Sequence, residues 1–77
     1  MKRRILAYLE PGERRSTEEI AAAAGIEVED GRPVLTWMRD KVLLEAVATQ
    51  YGDARTQVSY WLLTDEGRSE KEREAET

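Results

Sequence analysis

At Leu43 the spacing of apolar side chains changes from a helical repeat to strict alternation, so the chain must set short helices against a small sheet. Upstream of that change, Ile5, Leu6 and Leu9 fall on one face of a helix running from Lys2 to Glu10, which Pro11-Gly12 stops. Ser16-Thr17-Glu18-Glu19 follows, with Ser in the N-cap position and Glu three residues on, the reciprocal capping box that opens a helix. Ile20, Ala21 and Ala24 give this second helix its buried stripe, and Gly25 supplies the left-handed residue that ends it. The segment Glu27–Gly31 reads as a polar connection, with Asp30 or a neighbour capping a third helix and Pro33 in its first turn, where a missing N–H costs little. In that helix Leu35, Met38 and Val42 recur at i, i+3 and i+7 with Val34 beside them, which makes them the buried stripe. The other face carries Pro33, Thr36, Trp37 and Asp40, with Arg32 and Arg39 near its edges.

After Leu43, Leu44, Ala46 and Ala48 alternate with Glu45, Val47 and Thr49, and Trp61 and Leu63 alternate with Tyr60 and Leu62. Gly52-Asp53 between the two runs predicts a hairpin in which Tyr51 faces Ala54, Val47 faces Val58 and Ala46 faces Ser59. One face then collects Leu44, Ala46, Ala48, Trp61 and Leu63 as core, and the other collects Val47, Val58, Tyr60 and Leu62. Thr64-Asp65-Glu66 caps a last helix or a frayed tail; residues 68–77 are charged or small and lack an apolar stripe, so alone they are marginal. The expected organisation is one domain over residues 1–67 and a charged C-terminal helix or tail over 68–77.

With 77 residues and neither Cys nor His, the chain offers no thiol, disulfide or imidazole, so an enzyme is a poor reading and no metal or cofactor is expected. No apolar run approaches the ~20 residues of a membrane span, which leaves a cytoplasmic protein as the expectation. The net charge of −4 argues against a generic nucleic-acid binder until it is divided along the chain. Lys2, Arg3, Arg4, Arg14 and Arg15 against Glu10 and Glu13 leave a basic patch, as do Arg32, Arg39 and Lys41 against Asp40. The acid lies in Glu18, Glu19, Glu27, Glu29 and Asp30, and in the C-terminal stretch. Nine Arg against three Lys with an acid excess fits a high-salt cytoplasm, and fits a GC-rich genome equally.

Three helices, a tight Gly turn between the second and third, and a hairpin resemble a winged helix-turn-helix. The segment from Ile20 to Ile26, IAAAAGI, is similar to that family's second helix and turn; Val34 to Val47, VLTWMRDKVLLEAV, to its recognition helix running into the wing; Trp61 to Gly67, WLLTDEG, to its Leu-Thr-x-x-Gly close. The flavour is that of small MarR-like, PadR-like or archaeal phage-repressor-like regulators. Val42 departs from the pattern, which often has Gly there. The resemblance implies an α+β fold, helix three in the major groove of double-stranded DNA, and the wing on the backbone. Carried onto this chain it makes Arg32, Thr36 and Arg39 the base or phosphate readers and Arg55, Thr56 and Gln57 the wing contacts, with Ser16 and Thr17 offering groups to a phosphate and Arg14 and Arg15 adding charge. The expected form is a repressor-like regulator, as a homodimer, with no small-molecule ligand evident. The outward Trp37, together with Val58, Tyr60 and Leu62, is assigned to a partner or dimer contact, because sequence readout rarely uses Trp. The competing expectation is a winged-helix protein-contact module that binds no DNA and uses those residues.

Overall fold

The computed structural model describes residues 1–50 and 57–76, with 48–50 and 57–58 described by their backbone alone. Its elements run α1 (Lys2–Tyr8), β1 (Arg15–Ser16), α2 (Thr17–Ala24), α3 (Val28–Asp40), β2 (Leu44–Gln50), β3 (Gln57–Leu63) and α4 (Asp65–Ala75). The strands form one antiparallel sheet in the order β1-β3-β2, and the class is α+β as expected.

The helices begin and end where local chemistry dictates. Ser16 and Glu19 close the capping box at 3.1 Å in both directions, Ser16 Oγ accepting from the Glu19 N–H and the Glu19 carboxylate accepting from the Ser16 N–H. Two helices end alike, each with a 6→1 and a 5→2 backbone bond of the Schellman type. In α2 these run from Ile26 to Ala21 and from Gly25 to Ala22; in α3 they run from Leu43 to Met38 and from Val42 to Arg39. The left-handed residue is Gly25 (φ 73°) in the first and Val42 (φ 64°) in the second. Val42 is therefore exposed at the end of α3 and does not belong to the buried stripe in which its i+7 spacing had placed it.

The third helix starts earlier than its sequence signals indicate. It begins at Val28, so Glu29 and Asp30 form its first turn, where they complement the helix dipole, and Pro33 is the sixth helical residue. The i−4 carbonyl that Pro33 leaves without a backbone donor belongs to Glu29, which is exposed and open to water. Gly31, at a buried position, is the close-approach point: a Cβ there would lie 3.4 Å from Ile26 Cδ1 and 3.6 Å from Ala21 Cβ.

The core is small: Ile5, Leu6, Leu9, Ile20, Leu35 and Met38 are its largest fully buried side chains, and Leu44, Trp61 and Leu63 cover it from the sheet. The predicted alternation holds, and Leu44, Trp61 and Leu63 are buried, but Ala46 on the same face is exposed and is not core. The side chains of Ala48 and Val58 lie outside the described ones, and the register differs. Ala46 lies opposite Trp61 and Val47 opposite Tyr60, with Gln50 opposite Gln57, so each β2 residue meets a β3 residue two places later than expected. Tyr51, Gly52, Asp53 and Ala54, the proposed turn and its flanks, lie outside the described residues. The short strand β1, which pairs Arg15 with Trp61 and Ser16 with Tyr60, had no sequence signal.

The C-terminal segment is a helix that packs on α1, and the expected boundary after residue 67 falls inside it. Lys2 Nζ reaches Glu70 at 2.7 Å and Glu74 at 3.1 Å, while Lys71 Nζ donates to the carbonyls of Leu6 and Ala7 at 2.9 and 3.0 Å. Lys71 thus closes the C-terminal end of α1, as Arg4 does for α2 by donating to the Ala24 carbonyl at 3.3 Å. The Leu-Thr-x-x-Gly close also has a physical explanation. Thr64 Oγ1 accepts from the Gly67 N–H at 2.9 Å and donates to the Val42 carbonyl, and the Thr64 N–H donates to Leu43 O at 3.1 Å. Gly67 must be Gly because a Cβ would strike that Leu43 carbonyl oxygen.

Candidate nucleic-acid interface

Positions 32, 36 and 39 are spaced i, i+4 and i+7, so the helical repeat sets Arg32, Thr36 and Arg39 on one face of α3. That face lines a groove of about 310 Å³, completed by Thr17 at the start of α2 and by Ala46, Val47, Ser59 and Trp61 of the sheet. Among the described residues no carboxylate lines it. Its floor is held by a buried polar contact in which Trp61 Nε1 donates to Thr17 Oγ1 at 2.8 Å. Thr17 keeps its own hydroxyl proton to donate.

The state of the cations distinguishes this groove. Among the described residues Arg32 is the single Lys or Arg with no ion pair, hydrogen bond or ring contact. Arg39 meets only its neighbour Asp40, at 3.6 Å with both side chains exposed, a pair worth about 0–1 kcal/mol and easily exchanged. The other basic residues are engaged elsewhere. Arg14 lies over the Tyr60 ring at 5.4 Å; Arg15 is paired with Glu13 at 2.5 Å and lies 5.9 Å from the Tyr8 ring. Neither lines the groove.

Ser16 is buried, and its hydroxyl oxygen and N–H both serve the capping box. Those bonds hold the Glu19 carboxyl below its ordinary value, the Ser16 N–H and hydroxyl being the main causes and Arg15 a lesser one. Arg55 and Thr56 lie outside the described residues, as do the side chains of Gln57 and Val58. Trp37 is 47% exposed, one residue around α3 from Thr36 and outside the groove, with Lys41 Nζ 5.9 Å from its ring centre. Tyr60 and Leu62 are half-buried, with Arg14 over the Tyr60 ring.

Sequence reasoning read Ala46 as core with Ser59 opposite it, assigned neither to the site, and had no signal for the Thr17–Trp61 contact. Alternation does place Ser59 and Ala46 on the Trp61 face, but only the tertiary fold brings α3 over against them. Of the acid noted in the sequence, Glu27 is the N-cap of α3 and Glu29 and Asp30 lie in its first turn.

Among the described residues no helix is long and apolar enough to cross a membrane. No protein-family model and no curated protein matches the chain. Its fold is similar to that of a double mutant of ZitR from Lactococcus lactis, seen in two structures, one of them in apo form. The TM-scores are 0.72 and 0.71 at 20% identity, covering 96% of this chain and 53% and 48% of the ZitR chains, so this chain spans about half their length. Four helices around a three-stranded antiparallel sheet, in this order, are the winged helix-turn-helix fold.

Proposed function

We propose that the chain is a non-catalytic, repressor-like transcriptional regulator that lays α3 in the major groove of double-stranded DNA and its wing along the backbone, in the cytoplasm and as a homodimer. The observation that carries this reading is the groove beside α3, where, among the described residues, Arg32 has no partner, Arg39 has only an exposed neighbour, and no carboxylate lines the surface. Arg32, Thr36 and Arg39 are the base or phosphate contacts of α3 in this proposal, and Thr17 supplies a hydroxyl to a phosphate at the start of α2. Arg14, Arg15 and the cap residue Ser16 contribute at the margin, and Arg55, Thr56 and Gln57 act from the wing. The similarity to ZitR supports the fold in which such a helix is presented.

The test is fluorescence anisotropy of labelled random and genomic duplexes at two salt concentrations. Binding that weakens with salt is expected, and Arg32→Ala or Arg39→Ala lowers affinity by roughly tenfold each. Absence of salt-sensitive binding to every duplex overturns the reading. One observation favours the competing protein-contact role: the 47% exposure of Trp37 on the flank of α3. That role predicts a stable protein complex lost on Trp37→Ala and no affinity for DNA.

A further inference from the structure

The groove has two unlike walls and a shallow floor. Arg32, Thr36 and Arg39 form the wall on α3; Ser59, exposed on β3, brings a hydroxyl from the sheet; Ala46 and Trp61 make the floor largely apolar, with the Thr17 hydroxyl buried there against the Trp61 indole. A cationic wall, a hydroxyl wall and an apolar floor are complementary to one kind of ligand, a ribbon of anionic oxygens joined by hydrocarbon. Among the described residues the lining holds no carboxylate and the guanidinium of Arg32 is unengaged, which fits the same ligand. The smallest side chain on the sheet side, Ala46, is exposed and lies opposite the buried Trp61, so only a methyl group projects from that position.

We propose that this groove seats the sugar-phosphate ridge of one DNA strand, with the Ser59 hydroxyl donating to a phosphate oxygen across from Arg32 and Arg39, and Ala46 leaving room for the deoxyribose. The inference rests on the DNA-binding reading above and adds Ser59 and Ala46 to it. Contacts to the ridge fix position and carry no base identity, so their loss weakens binding to all sequences alike.

The experiment measures full-length wild type, Ser59→Ala, Ser59→Thr and Ala46→Leu against a random duplex and a selected duplex, with circular dichroism melts as the folding control. Ser59→Ala lowers affinity about tenfold for both duplexes, and Ser59→Thr, which keeps the hydroxyl, restores most of it. Ala46→Leu fills the floor and lowers affinity by about tenfold or more, again for both. If Ala46→Leu fails to fold, the Ser59 pair decides. Wild-type binding that survives Ser59→Ala, or a loss confined to the selected duplex, overturns the ridge assignment while leaving the DNA reading intact. Absence of wild-type binding overturns both.

Discussion

Trp61 donates its indole N–H to the hydroxyl of Thr17 across 2.8 Å, with both residues buried, so the last strand and the first turn of α2 share a polar contact inside an otherwise apolar core. The same pair forms part of the groove beside α3, which couples the shape of that surface to the stability of the fold. Removing one partner leaves the other buried without a hydrogen bond, at a cost of about 1–3 kcal/mol. Trp61→Phe and Thr17→Val are each expected to destabilise by at least that much, the Trp variant more because it also loses volume. The double variant should be less destabilised than the sum of the two. Urea denaturation of the four proteins checks this, and simple additivity would remove the coupling.

Gly25 and Val42 occupy equivalent places at two Schellman ends, at φ 73° and 64°, yet only one of them is a residue suited to it. A left-handed L-residue costs roughly 1–2 kcal/mol, and β-branching makes Val a poor occupant. Since Val42 is exposed, little packing is lost with its side chain. Val42→Gly is expected to raise stability by about 1 kcal/mol, and Gly25→Ala to lower it by a similar amount, both read by thermal denaturation.

Gly67 sits where the Leu43 carbonyl oxygen passes over the first turn of α4. An added methyl must push apart the end of α3 and the start of α4, so Gly67→Ala is expected to cost about 1–3 kcal/mol. Thr64→Val removes the cap on Gly67 and the bond to the Val42 carbonyl, with an expected loss of roughly 1 kcal/mol. Helical content followed against temperature distinguishes both from Ser69→Ala, an exposed position in the same helix that is expected to be neutral.

Acid should loosen the contact between α1 and α4. The Lys2 ammonium, by hydrogen bonding, holds the Glu70 carboxyl below its ordinary value of 4.5, so the contribution of Glu70 is present above that pH and is lost as pH falls through the lowered value. The Lys2 ammonium is raised above 10.5 by Glu70 and then Glu74, so its contribution is present below that pH and is lost as pH rises through the raised value. Lys2→Met is expected to flatten both limbs of a stability-against-pH curve. Unchanged limbs in that variant would assign the pH dependence to other groups, of which Glu19, also lowered, is one.

The parts of the fold legible in the sequence are those fixed by local chemistry. Ser16 with Glu19, Gly25, and Thr64 with Gly67 each carry their own instruction within four residues. The faces of the hairpin were legible too, because side chains alternate with period two. For the same reason the register was not: a shift by two residues leaves every side chain on its face, so polarity cannot distinguish Ala46 opposite Ser59 from Ala46 opposite Trp61. Pro33 misdirected the start of α3, since a proline suits a first turn and its interior position is tolerated only through the exposure of Glu29. For the candidate site, the helical spacing of Arg32, Thr36 and Arg39 was visible. What each arginine is free to do depends on where every acid and carbonyl ends up, and that is a property of the folded chain.

The attachment of α4 has a calorimetric consequence. Its contacts with α1 include ion pairs and ammonium-to-carbonyl bonds, and the only buried residue it contributes is a glycine. Its release would uncover little hydrocarbon of its own, so it should add less to the heat capacity of unfolding or to the denaturant m-value than the release of a helix with a buried apolar stripe. A last helix joined in this way registers only weakly in a urea titration, while exchange of its amide hydrogens and the effect of added salt record the event.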